Sequence, residues 1–212
     1  MMVELGSVIS VQLTEHLAGF GQALLAVPGG TTPGPIFDVL SVADLEWEKI
    51  SVMLTDERWV PETSSRSNTR LIKSRLLTGK AASAMYLPLF AEGGSVDEKL
   101  PQLSANIAPK LPLSVCLLGM GTDMHTASIF PEADKLTEAL TGTDILYPMT
   151  APGAPEPRVT LSANVLRASK NIHIVITGKQ KRAALDKALC LEPIKAPIAA
   201  VLENATVHWA EK

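Results

Sequence analysis

A carboxylate and an imidazole stand two positions apart directly after a short apolar run. Asp123 and His125 follow residues 115–118 and the glycines Gly119 and Gly121. Because the run is apolar without alternation, it predicts a strand buried on both faces, as in a parallel sheet covered by helices. The glycines permit a sharp turn and close approach of a ligand. Polar side chains at the carboxyl end of such a strand lie where open α/β sheets bind ligands.

His125 is our candidate general base, and Asp123 is its nearest candidate partner. At the start of a helix, an imidazole would feel the positive end of the helix dipole, which favours the neutral form that a base requires. For an isolated histidine, the alternative is a polar core or capping residue. Asp123 has two interpretations, since its carboxylate could either orient His125 or cap the following helix.

Two further blocks carry residue types that suit an anionic ligand. Residues 28–33 read PGGTTP, and residues 55–61 read TDERWVP with Ser67 and Asn68 downstream. Together with residues 119–131, these blocks resemble the signature segments of the 6-phosphogluconolactonases, which read GGS/TTP, DERxVP…SN and GxGxDGHTASxFP. Weaker similarity near the carboxyl terminus extends the resemblance over most of the chain.

The resemblance implies hydrolysis of a sugar-phosphate lactone, with His125 as general base and with Asp56, Arg58 and Asp123 at the catalytic centre. It also implies that the remaining matching positions bind substrate or phosphate: Gly29, Gly30, Thr31, Thr32, Asn68, Arg158 and Lys181. Two hydroxyls and a helix N-terminus suit a phosphate, and a fixed guanidinium or ammonium group suits its dianion.

The glycine-rich turn and the charged residues also have purely structural interpretations. The double glycine could simply form a tight turn between strand and helix. Asp56 and Arg58 could form an ordinary surface ion pair, whereas Arg158 and Lys181 could be solvated surface charges.

Met124 departs from the family pattern, which has glycine at this position. A glycine there often marks a backbone with positive φ. If Met124 adopts that backbone, the strain costs about 1–2 kcal/mol. The loop either shifts or tolerates the strain.

Length and composition exclude several classes of protein. The chain has 212 residues, 46% of them hydrophobic, which predicts a single ordered domain over residues 1–212. A formal charge of −3 predicts no binding to nucleic acid. No apolar run suits a signal core or a membrane span, and two cysteines fit reduced thiols, so we expect a cytoplasmic protein without a membrane partner. We expect a monomer or homodimer with no cofactor, and no spacing of histidine, cysteine or carboxylate residues suggests a metal site.

The elements that must position these residues alternate between strand and helix. We predict strands at residues 23–27, 50–54, 85–90, from about 113, at 145–150 and at 171–177, and helices at residues 13–20, 68–77, 163–169 and 179–189. Thr14 could cap the first helix, Thr32 is the expected N-cap of a helix through Leu40, and residues 93–111 suggest a helix interrupted near Pro101. The alternation predicts an α/β, Rossmann-like, mostly parallel sheet with helices on both faces.

Two rival functions remain open on sequence grounds. The amino-sugar phosphate deaminases and isomerases have a similar GxDGH core, but they carry an acidic residue before the proline where this chain has Phe130. The other rival is a non-catalytic sugar-phosphate-binding protein. Such sensors usually carry a DNA-binding module, for which this short acidic chain has no room.

Overall fold

The architecture is a parallel sheet with a smaller antiparallel sheet beside it. The structure is a computed structural model that describes residues 1–154 and 156–211. The helices of the described residues are α1 (Met2–Phe20), α2 (Gly34–Ser41), α3 (Asn68–Arg75), α4 (Val96–Ile107), α5 (Leu136–Thr141), α6 (Ala163–Arg167), α7 (Lys179–Ala188) and α8 (Ala199–Leu202). The strands are β1 (Ala23–Val27), β2 (Ile50–Leu54), β3 (Asp56–Arg58), β4 (Met85–Leu87), β5 (Val115–Gly119), β6 (Leu146–Met149), β7 (Arg158–Leu161), β8 (Asn171–Thr177) and β9 (Ala205–Ala210).

The larger sheet has the strand order β4-β2-β1-β5-β8-β9, with all neighbouring strands parallel. The chain first builds outward from β1 towards β4 and then from β5 towards β9. Right-handed crossovers in opposite directions place helices on opposite faces of the sheet, as the sequence predicts. The reversal falls between β1 and β5, which is the point where open α/β sheets form a ligand crevice.

The strands on either side of this reversal are buried on both faces. Every residue of β1 and β2 is buried, and in β5 only the terminal Gly119 is partly exposed. Helix α2 presents Ile36, Phe37 and Leu40 to the same core. The predicted strands at residues 23–27, 50–54 and 171–177 are therefore confirmed to the residue. None of the helices in the described residues has the length and hydropathy of a membrane span.

The first helix is much longer than the sequence analysis predicts. It spans Met2–Phe20 and buries Leu5, Ile9, Leu13 and Leu17 at a four-residue spacing. Thr14 is wrong as a cap, because its hydroxyl lies within the helix and donates to the Ser10 carbonyl. Burial against the sheet and α2 extends the helix over its less favourable first turns.

Two other helix predictions require correction. Pro33, rather than Thr32, is the N-cap of α2, and no side chain caps this helix. The helix across residues 96–107 continues through Pro101 without interruption. Its start is held by a capping box between Ser95 and Glu98, and burial of Leu103 and Ile107 supports the turns after the proline.

A second sheet of order β3-β7-β6 is antiparallel and was not predicted from the sequence. The strand expected at residues 145–150 exists as β6, but it belongs to this smaller sheet. Pairing of β3 with β7 places Asp56 opposite Thr160 and Arg58 opposite Arg158. This pairing brings the charged residues of two distant blocks to one place.

Candidate active site

A cleft of about 230 Å³ opens at the carboxyl edge of the parallel sheet, between the ends of β1 and β5. Nine of the eleven predicted site residues line it: Gly29, Gly30, Thr32, Asp56, Arg58, Asn68, His125, Arg158 and Lys181. The two others do not line the cleft. Asp123 lies behind His125, and Thr31 lies in the turn, where its carbonyl accepts from Gly34 N–H.

His125 and Asp123 form a hydrogen-bonded pair. His125 Nδ1 lies 2.6 Å from Asp123 Oδ1, which also accepts the His125 backbone N–H at 3.2 Å. Burial raises the pKa of Asp123, but the hydrogen bonds from His125 outweigh it and leave the pKa below its usual value. Because the carboxylate accepts from Nδ1–H, the lone pair of the neutral imidazole is on Nε2. A base with this tautomer can take a proton from a molecule in the cleft.

Gly121 leaves the space that this pair requires. A Cβ at residue 121 would overlap Asp123 Oδ1 and the ring of His125. The Gly121 backbone N–H donates to the His125 carbonyl at 3.1 Å, which closes the turn. A residue with any side chain at this position would displace the imidazole.

His125 does not begin a helix, so the helix-dipole argument from the sequence is wrong. The next helix is α5, which begins at Leu136. Met124, Ala127 and Glu132 have φ values of 67°, 47° and 63°, and such a series of left-handed residues prevents a helix. The predicted strain at Met124 is present, and Asp123 caps no helix because none follows it directly.

Asp56 and Arg158 form a largely buried ion pair, instead of the surface pair considered for Asp56 and Arg58. Asp56 Oδ2 lies 3.8 Å from Arg158 Nη1, and their side chains are only 9% and 11% exposed. Ser128 Oγ donates to Asp56 Oδ2 and accepts from Arg158 Nη1. Burial lowers the pKa of Arg158, with opposing contributions from Asp56, which raises it, and Arg58, which lowers it.

Arg58 and Arg158 carry hydrogen-bond donors that the protein does not satisfy. The Nε atoms of both guanidinium groups are buried and have no hydrogen-bond partner among the described residues. The two residues are also directly opposite one another in the β3–β7 pair, where like charges repel. Buried donors and paired positive charges together favour binding of an anion between these strands.

The turn after β1 offers further donors. None of the backbone N–H groups of residues 29–32 donates a hydrogen bond to another described residue, and the turn leads into the N-terminus of α2, which favours anions. Gly29 allows Asn68 to approach the turn, since a Cβ there would overlap the Asn68 side chain. Lys181, in the first turns of α7, contributes a third cation to the cleft and forms no ion pair within the described residues.

Three residues that the sequence analysis did not select support this arrangement. Glu57 is fully buried and accepts from the backbone N–H groups of Arg58, Asn68 and Thr69, which fixes β3 to the start of α3. Ser128 joins Asp56 to Arg158, and Phe130 lies against His125. All three lie in the blocks that resemble the family segments, so their position in these blocks could have indicated a role near the site. In the described residues, no group of three or more histidine, cysteine or carboxylate side chains could hold a metal ion.

The fold and the cleft define a class of parallel α/β proteins with a cationic cleft and a histidine at the topological reversal. The model of the family described as glucosamine-6-phosphate isomerases/6-phosphogluconolactonase matches residues 1–209, and the chain belongs to this family.

Individual relatives are similar over almost the full chain. A 6-phosphogluconolactonase of Mesorhizobium japonicum is 40% identical, over 99% of this chain and 91% of that protein. A 6-phosphogluconolactonase of Pseudomonas aeruginosa is 39% identical, over 97% and 88%. The crystal structure of a 6-phosphogluconolactonase from Shewanella baltica superposes with a TM-score of 0.95 at 32% identity, over 98% of this chain and 92% of that chain.

Proposed function

We propose that this protein is a 6-phosphogluconolactonase, which hydrolyses 6-phospho-D-glucono-1,5-lactone to 6-phosphogluconate in the oxidative pentose phosphate pathway. One observation carries the proposal: the Asp123-oriented imidazole of His125 faces the same cleft as Arg58, Arg158 and Lys181. The names of the relatives support the same activity. A base beside a cluster of cations suits a neutral ester that carries a phosphate.

In the proposed mechanism, His125 Nε2 takes a proton from water as the water oxygen attacks the lactone carbonyl. The Asp123 carboxylate stabilises the imidazolium that forms. Arg58 and backbone N–H groups stabilise the negative charge on the carbonyl oxygen. When the ring C–O bond breaks, the imidazolium returns its proton to the departing ring oxygen, which leaves a hydroxyl and a carboxylic acid that ionises in water. No serine or cysteine nucleophile and no metal take part.

The phosphate would bind at the turn of residues 29–32, where Arg158 and Lys181 supply positive charge. Asn68 lies at the same turn and is a further substrate-binding residue. Binding of the remote phosphate would orient the carbonyl towards His125, which converts binding energy into rate.

The test is the rate of lactone hydrolysis, corrected for spontaneous opening, by the purified wild type and by His125→Ala. We expect the wild type to accelerate hydrolysis and the variant to lose most of that acceleration. An inactive wild type would refute the proposal.

Glucosamine 6-phosphate is the matched second substrate, because the family also contains isomerases of that compound. The hydrophobic Phe130 stands where the similar deaminases carry an acidic residue, so we expect no deamination. Binding of 6-phosphogluconate without acceleration of either reaction would instead identify a non-catalytic sugar-phosphate-binding protein.

A further inference from the structure

Phe130 contacts both the proposed base and one of the buried cations. Its ring centroid lies 4.2 Å from that of His125, with the two ring planes inclined by 34°. The guanidinium carbon of Arg158 lies 5.2 Å from the same phenyl centroid, which is within the range of a cation–π interaction. Phe130 itself does not line the cleft.

The turn before Phe130 explains how the ring reaches this position. Thr126 and Ile129 form an antiparallel bridge, and Ala127 between them has a φ of 47°. The Thr126 hydroxyl donates to the Gly119 carbonyl at 3.0 Å, which anchors the turn to the end of β5. The chain therefore folds back, and residue 130 returns to the side of His125.

One hydrogen bond at Nδ1 does not fix the orientation of an imidazole, because the ring can still pivot about that bond. The Asp123 side chain is itself half exposed, at 52%, so packing around it does not fix the carboxylate. A phenyl ring packed on the imidazole removes the pivoting freedom without taking a hydrogen bond from Nε2. Phe130 is partly buried and packs against the hydrophobic core, so the phenyl ring that contacts the imidazole is itself held in place.

We propose that Phe130 is a positioning residue, which holds the His125 ring so that Nε2 points at the water molecule that attacks the lactone carbonyl. The inference rests on the proposed function, because its readout is lactone hydrolysis. It adds a second point of attachment to the one that Asp123 provides. The phenyl ring acts only through His125.

The experiment compares Phe130→Leu and Phe130→Met, which remain apolar but lack the ring, with Phe130→Tyr, which keeps it. We expect kcat to fall by about 10- to 100-fold in the first two variants, since a misplacement of about 1 Å has an effect of this size. KM for the lactone and the affinity for 6-phosphogluconate should change little. Phe130→Tyr should recover most of kcat.

The chain offers a matched control in Phe20, whose ring stacks on His16 at 4.5 Å at the opposite edge of the sheet. Phe20→Leu also removes a phenyl ring from a histidine, and we expect it to leave kcat unchanged. Melting temperatures of all variants separate loss of fold from loss of orientation.

The outcomes distinguish this inference from the proposed function. An inactive wild type contradicts the function itself. An active wild type with unchanged kcat in Phe130→Leu or Phe130→Met refutes only the positioning role. A rise in KM at constant kcat, or no recovery in a folded Phe130→Tyr, likewise refutes it, because the ring would then serve binding or general packing.

Discussion

Replacement of Gly121 by alanine tests whether the position of His125 limits the reaction. The added Cβ would meet Asp123 Oδ1 and the Nδ1 and Cε1 atoms of His125 well inside 3.4 Å, where ordinary van der Waals contact begins. The imidazole must therefore move by about 1 Å, and a shift of this size reduces a rate by about 100-fold. That factor corresponds to about 2.7 kcal/mol of transition-state stabilisation.

The assay follows the proton released as the product carboxylate forms, with the spontaneous rate subtracted. We expect Gly121→Ala to lower kcat with little change in KM, because the atoms nearest to the added Cβ belong to Asp123 and His125 and not to the cations proposed to bind the phosphate. In the background of His125→Ala, the same substitution should have no further effect, since the group that it displaces is already absent.

Gly142 provides the matched control for steric overlap. A Cβ there would overlap the Tyr147 hydroxyl and would lie 2.6 Å from the Glu138 carbonyl oxygen, away from the cleft. Gly142→Ala should therefore lower the free energy of unfolding but retain the rate per folded molecule. A folded Gly121→Ala protein with the wild-type kcat would refute the proposed role of the His125 position.

Two further predictions follow from the backbone and from a buried histidine. Met124→Gly should keep or raise kcat, because glycine adopts the φ of 67° without strain. In urea unfolding, this variant should be about 1 kcal/mol more stable than Met124→Ala, which keeps the strain. A large loss of kcat in the glycine variant would contradict the proposed strain. Burial beside His208 lowers the pKa of His173 from 6.5 to about 4. As the pH falls from 6.5 to 4, the unfolded chain therefore binds a proton at this histidine before the folded protein does. Over this range, the free energy of unfolding should decrease by up to about 1.4 kcal/mol for each pH unit. His173→Gln should flatten this acid limb in urea titrations, and an unchanged slope would show that other groups cause it.

The sequence predicted the parallel sheet because its strands are buried on both faces. The apolar runs at residues 23–27, 50–54 and 171–177 are too short for buried helices, and glycines follow the first and the third of these runs. The extent of α1 was missed because Gly6 lowers helix propensity. A Cβ added at residue 6 would lie 2.8 Å from the Val39 side chain, so the glycine allows α1 and α2 to pack closely. This reason for a glycine is visible only in the tertiary structure.

Nine of the eleven candidate site residues were found by their order in three blocks, and Arg158 and Lys181 by the weaker similarity near the carboxyl terminus, but the partners of these residues were not found. Asp56 was considered with Arg58, its neighbour in sequence, whereas the antiparallel pairing of β3 and β7 gives it Arg158. Strand pairing over about a hundred residues leaves no local pattern to detect. The prediction of a helix after His125 was wrong because residues 124, 127 and 132 have positive φ values. Non-glycine residues at these positions give no sign of such a backbone in the sequence.

The unsatisfied Nε donors of Arg58 and Arg158 link ligand binding to folding. Without an anion, β3 and β7 are held together against the repulsion between these two side chains, so the amide hydrogens of this small sheet should exchange more slowly once an anion binds. A ligand that binds only the folded state adds about 2.7 kcal/mol of stability at one hundred times its dissociation constant. The resistance of the protein to heat and proteolysis would then follow the concentration of its own substrate.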